Sequence, residues 1–114
     1  MGTNYYAVRK KPSVMNPIHI GKSSMGWKFL FRSIPGIDNA ISGEPLDTYD
    51  GWVNFLKEYT ENDTIVIMNE YDEEVTLNQF IEMVQRKQLE KSERYVAYYI
   101  HEVDGYRFTT GEFS

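Results

Sequence analysis

The chain has 114 residues and a formal net charge of −5, a size that predicts one domain, residues 1–114, able to bury a core without staples. Its lack of cysteine excludes a disulfide framework, a thiolate metal site and a cysteine nucleophile, and two histidines leave little for any other metal site. No apolar run approaches the ~20 residues that span a bilayer and no signal-peptide pattern opens the sequence, so the expectation is a cytoplasmic protein without a membrane partner.

The charge is unevenly spread. Six basic and no acidic residues occupy positions 1–35, while positions 36–114 hold six basic and seventeen acidic ones. Three strand-like runs lie within this basic third. Residues 3–10 are rich in Tyr and Val, 17–22 set Ile18 and Ile20 against His19, and 26–33 alternate Trp27, Phe29 and Phe31 with Lys28, Leu30 and Arg32. Period-two patterning predicts half-buried strands, with the cations gathered on the solvated side and 22–26 as a hairpin connection.

Residues 34–46 contain Pro35, Gly36, Asn39, Ser42, Gly43 and Pro45, a density of breakers that marks a long loop of the kind used for binding. A helix follows, capped by Asp47 or Thr48, with Trp52, Phe55, Leu56 and Tyr59 on one face. The continuous apolar run Ile65-Val66-Ile67-Met68 reads as a strand covered on both faces and hence central in its sheet. Thr76 and Gln79 form a capping box ahead of a second helix with Leu77, Phe80, Ile81 and Val84 as its stripe, ending near Arg86-Lys87-Gln88. Residues 94–103 and 106–110 read as strands joined by an Asp104-Gly105 hairpin that sets Val103 against Tyr106 and Glu102 against Arg107. The sum is an α+β fold: a mostly antiparallel sheet of five to six strands with two helices packed on one face.

Chemical motifs are sparse. Gly21-Lys22-Ser23 imitates part of a phosphate loop, but position 16 is Asn16 where a glycine is required, and a strand pattern follows where a helix is required. His19 and His101 have no nucleophile at a diagnostic spacing, and the plain reading of each is a hydrogen-bonded histidine at a core edge. A hydrolase or nuclease using His19 with Lys22 therefore lacks spacing support. Residues 70–74 form an acidic cluster without the ligand alternation or central glycine of a calcium loop, so a solvated turn is preferred. No cofactor or metal is called for. Arg9, Lys10 and Lys11 with Tyr5, Tyr6, Trp27, Lys28 and Arg32 combine cations with aromatics, as single-stranded nucleic-acid sites do.

Three blocks are jointly unusual: Met1-Gly2-Thr3-Asn4-Tyr5-Tyr6, Ile18-His19-Ile20-Gly21-Lys22-Ser23-Ser24 with Gly26-Trp27-Lys28-Phe29, and Gly105-Tyr106-Arg107-Phe108 with the ending Gly111-Glu112-Phe113-Ser114. Together they resemble a group of small uncharacterised bacteriophage and prophage proteins. Members of that group often carry a Cys-x-x-Cys pair between the first two blocks, where this chain has Arg9 through Asn16. If those cysteines hold zinc in relatives, His19 is the remnant of that site.

The resemblance implies a phage accessory protein that binds and modulates or inhibits a host protein or defence system without catalysis. The expected partner surface is Lys10, Lys11, His19, Lys22, Lys28 and Arg32. A nucleic-acid-binding module using the same residues is the alternative, and an acidic DNA mimic a further one.

Overall fold

The structure, a computed structural model, describes residues 2–10, 17–90 and 100–110. Seven strands form one mixed sheet: β1 (Gly2–Arg9), β2 (Ile18–Ser24), β3 (Leu30–Arg32), β4 (Ile65–Asn69), β5 (Glu74–Val75), β6 (Ile100–Val103) and β7 (Tyr106–Thr109). Their spatial order is β5-β4-β1-β2-β3-β7-β6, and every pairing is antiparallel except β3 with β7. Two helices, α1 (Tyr49–Glu61) and α2 (Leu77–Lys87), pack on one face. The predicted α+β class stands, with seven strands in place of five or six. The strand that the sequence reading lacks is β5, whose two residues are too few to display a period.

Local chemistry accounts for the element ends. Thr48 Oγ1 accepts from Gly51 N at 2.9 Å to start α1, and Asp50 lies in the first turn of that helix. Thr76 and Gln79 make the reciprocal capping box of α2, at 3.1 and 3.0 Å. The β6–β7 turn places Asp104 and Gly105 at φ +53° and +84°, as a two-residue hairpin demands, with Val103 opposite Tyr106 and Glu102 opposite Arg107. The proposed strand over 94–99 lies outside the described residues.

The core is largely aromatic. Phe31 rests on Phe108 (5.3 Å between ring centroids), Phe29 (4.7 Å) and Trp52 of α1 (6.5 Å), while Phe80 of α2 meets Phe29 (5.4 Å) and Tyr5 (5.6 Å). Trp52 and Phe80 thus fasten both helices to the same face. Burial of a side chain of this size stabilises the fold by roughly 1.5–3 kcal/mol. Trp52 Nε1 also donates to Arg32 O at 2.8 Å, so the indole nitrogen is satisfied inside the core. Gln85 Nε2 donates to the hydroxyls of Tyr49 (3.0 Å) and Tyr106 (2.8 Å), whose rings stack at 4.1 Å, linking α1, α2 and β7.

Three expectations need correction. The strand β4 is not central: it lies next to the edge strand β5, burying Ile65 and Ile67 while Val66 and Met68 stay half-exposed, so its unbroken apolar run does not report two covered faces. Trp27 does not share the core side of Phe29 and Phe31. The turn at Met25–Gly26, with Gly26 at φ +80°, interrupts the alternation and β3 begins only at Leu30, which leaves Trp27 36% exposed. In α2 the buried pair is Phe80 and Val84, flanked by Leu77 and Met83, whereas Ile81 is half-exposed and stands outside the core cluster.

The long loop is ordered by one buried side chain. Asn39 donates Nδ2 to Ser42 Oγ (2.6 Å) and Glu44 O (2.9 Å), and its Oδ1 accepts from the amides of Ile41 (3.1 Å) and Ser42 (3.2 Å). A bridge between Ile34 and Leu46 closes its base. Replacing Asn39 with Ala should cost about 1–3 kcal/mol in urea unfolding, because it strips partners from backbone groups held by a single amide. A loss below about 0.5 kcal/mol would show that the loop holds its shape by other means.

Candidate binding surface

Strand register sorts every side chain to one face of the sheet. Tyr5, Ala7, Ile18, Phe31, Ile67 and Phe108 meet the helices, whereas Asn4, Tyr6, His19, Lys22, Leu30, Arg32 and Arg107 fall on the opposite, open face. Between Tyr5 and Tyr6 the pairing slips: Tyr5 faces Gly21 and Tyr6 faces His19, so Ile20 forms a bulge in β2 and is itself buried. His19 and Lys22 consequently share the open face although two residues separate them. Gly21, Lys22 and Ser23 lie within β2, with no phosphate-loop turn at that place.

Five of the six residues expected to form one surface are described, and they lie at three places. Lys10 is ion-paired with Asp63, and Lys11 lies outside the described residues. His19 and Arg32 line a groove at the end of the sheet where β1 and β3 finish and β2 begins. Lys22 and Lys28 line a separate small pocket further along the open face.

The groove has a volume of about 1010 Å³. Tyr6, Arg9, His19 and Arg32 come from the strands, Asp38 comes from the long loop, and Asp47 comes from between that loop and the α1 cap Thr48. The ring of His19 stacks on Tyr6 with centroids 5.0 Å apart, and its Nε2 lies 2.8 Å from Asn4 Oδ1. An amide oxygen can only accept, so this bond places a proton on Nε2. Asn4 is 7% exposed and is held in turn by Glu70, whose Oε1 accepts from the Asn4 amide N (2.6 Å) and Nδ2 (2.9 Å). A chain of hydrogen bonds from Glu70 through Asn4 therefore fixes the orientation of His19.

The second pocket, of about 110 Å³, is lined by Trp27, Leu30 and Ile100 together with Lys22, Lys28 and Arg107. Arg107 extends over the Trp27 ring at 5.9 Å from its centroid, and its Nε is 3.4 Å from Glu102 Oε2. The packing of a guanidinium on an indole face supports both groups. Met25, 86% exposed, stands in the adjoining turn.

The acidic cluster is a turn. Asn69 Oδ1 accepts from Tyr71 N (2.9 Å) and Glu73 N (3.0 Å), with Asp72 at φ +62°. Among the described residues no group of three or more His, Cys, Asp and Glu is placed to hold a metal ion. His101, on edge strand β6, stacks on Phe108 at 6.0 Å and remains exposed.

Arg107, Asp38 and Asp47 are site residues that sequence reasoning missed. The hairpin register contained the signal for Arg107, since Glu102 opposite it is exposed. Nothing local could bring Asp38 and Asp47 to the strands, because Asp38 is carried by the loop that Asn39 shapes and Asp47 directly follows the Ile34–Leu46 bridge that closes it. Comparison of the chain with protein-family models, curated proteins and solved structures gives no match.

Hydrogen bonds from Asn4, the backbone N–H first and then the side chain, hold the Glu70 carboxyl below its usual range; slight desolvation opposes them and the Lys22 and His19 charges assist. A depressed carboxylate pKa adds stability above the unfolded-state pKa, and that contribution disappears as pH falls through the folded value. Titration of the Glu70 carboxyl by carbon NMR should give a lowered pKa that rises part of the way in Asn4→Ala, the backbone N–H remaining. An unchanged titration curve in that variant would remove Asn4 as the cause.

Proposed function

We propose that this chain is a non-enzymatic binding protein whose partner is an acidic protein segment carrying an apolar anchor. The observation that carries this reading is Trp27, turned out of the core and set at an apolar pocket that three cations surround. An exposed indole beside a guanidinium and a small apolar recess matches the residues that dominate protein interfaces. Lys22 and Lys28 line that pocket beside Arg107, whose Nε meets Glu102, so the anchor it suits bears negative charge nearby. The wholly basic first third of the chain supplies the long-range attraction that draws such a partner in.

The resemblance to phage and prophage proteins supports a host protein or a defence component as that partner. Catalysis has weaker support. The Nε2 of His19 is committed to an amide oxygen, and no described nucleophile shares a hydrogen bond with the ring. Nucleic acid is the second reading, favoured by the closeness of Trp27 to Lys22, Lys28 and Arg107. It requires affinity that falls steeply with salt, whereas an apolar-centred protein interface responds much less.

The test is recovery of proteins from nuclease-treated bacterial lysate on the immobilised chain, beside Trp27→Ala and Lys28→Glu forms shown to be folded. One protein should be retained by the parent chain and reduced at least about tenfold by either substitution, the scale of an interface hot spot. Equal retention by all three forms would remove this surface from the interface. Retention lost on nuclease treatment alone would move the assignment to nucleic acid.

A further inference from the structure

We infer that a second copy of this chain docks in the Trp27 pocket through its β4–β5 turn, with Tyr71 entering the pocket, and that two copies do so reciprocally about a two-fold axis. Because the pocket is read as a protein-binding site, on which this assignment rests, its occupant must be an exposed anchor with negative charge around it. Among the described residues one turn meets both needs. Tyr71 is 61% exposed and sits between Glu70 and the run Asp72-Glu73-Glu74, all of them exposed. Met25, Ile37 and Leu89 are exposed too, but each has at most one carboxylate next to it in the chain.

Size, charge and rigidity agree. The pocket of about 110 Å³ is of the order of one aromatic ring, given that a cavity of about 150 Å³ takes benzene. Trp27, Leu30 and Ile100 offer apolar walls to that ring, and the phenol hydroxyl keeps a polar end for the rim. Lys28 makes no ion pair among the described residues, so it is available to Asp72 or Glu74 of the incoming turn. The turn has its shape before it docks. Asn69 Oδ1 accepts from the amides of Tyr71 and Glu73, Asn69 Nδ2 donates to Glu73 Oε1 at 2.7 Å, and Asp72 N donates to Asn69 O at 3.1 Å. Little ordering cost therefore falls on binding.

The positions of turn and pocket favour a reciprocal pair. Asn4, Lys22, Leu30 and Arg107 stand opposite one another across β1, β2, β3 and β7. Glu70 adjoins this row at Asn4, and the pocket covers its Leu30–Arg107 end. From β4 to β3 is three strand steps, about 15 Å at the usual spacing. A turn pinned by its own hydrogen bonds cannot cover that distance to the pocket of its own chain. A copy related by a two-fold rotation brings its turn to this pocket and its pocket to this turn, the arrangement of an isologous dimer. Between the two contacts, the Glu70 carboxyl is held down first by the Asn4 hydrogen bonds and then by the nearby Lys22 charge, so the middle of the interface is not a block of like charge.

Sedimentation velocity of the whole chain from about 5 to 500 µM, which brackets micromolar affinities, tests the inference. The parent chain should pass reversibly from one copy to two and no further. Tyr71→Ala, Trp27→Ala and Lys28→Glu should each weaken the dimer about tenfold or more, the scale of a lost interface anchor or charge pair. An equal mixture of Lys28→Glu and Glu74→Lys chains should dimerise more tightly than either alone, because one contact of the mixed pair keeps both parent surfaces and the other has its charges exchanged. Circular dichroism checks that each variant is folded; where Trp27→Ala is not, Tyr71→Ala and the mixture carry the test. A parent chain monomeric to about 500 µM, growth beyond two copies, or a dimer that folded Tyr71→Ala leaves intact would each overturn it. A monomeric parent chain that still retains a lysate protein through Trp27 overturns the second copy and leaves the pocket reading in place, whereas a dimer unchanged by folded Trp27→Ala overturns docking in this pocket.

Discussion

The fold depends on a close approach at the centre of its sheet. Gly21 of β2 stands opposite Phe31 of β3, and a Cβ built on Gly21 would lie 2.2 Å from the Leu30 carbonyl oxygen and 2.6 Å from the Phe29 ring. Only a residue without a side chain lets β3 come this near while Phe29 and Phe31 both turn inward. From these two rings the core extends to Trp52, Phe80 and Phe108, so the attachment of both helices and the parallel pairing of β3 with β7 depend on the same few atoms. The glycine that imitates a phosphate loop in the sequence is a packing device.

Packing both helices on one side leaves the reverse of a seven-stranded sheet to carry polar chemistry. His19, Lys22 and Arg32 lie there, and register with the β2 bulge decides how they are spaced. Near the strand ends Arg9, His19 and Arg32 meet a loop bearing carboxylates, and further along Lys22 and Lys28 meet Trp27 and Arg107. One surface has a mixed charge pattern, and the other has an apolar centre lined by Lys22, Lys28 and Arg107. Lys10 serves neither, because Asp63 engages it.

Much of the architecture was legible because it is written in local chemistry. The Thr76–Gln79 box, the Asp104-Gly105 hairpin with its Glu102–Arg107 register, and the stripe of Trp52, Phe55 and Leu56 each fix an element within a few residues. What escaped the sequence depends on distant partners. The outer position of β4 follows from its pairing with β1 and the short β5, the outward turn of Trp27 from a break in period before β3, and the groove from a loop folded over strand ends. Charge counting located the basic residues but could not divide them, since a single extra residue at Ile20 decides which side chains share a face.

Tight β2–β3 contact at Gly21 organises the aromatic core and, through it, the open face. Urea unfolding of Gly21→Ala tests this dependence. The methyl group must push against a backbone carbonyl and a ring already wedged in the core, so a loss of about 2 kcal/mol or more is expected, in the upper part of the range for overpacking. A variant as stable as the parent chain, with an unchanged near-ultraviolet dichroism signal from its aromatic residues, would contradict it.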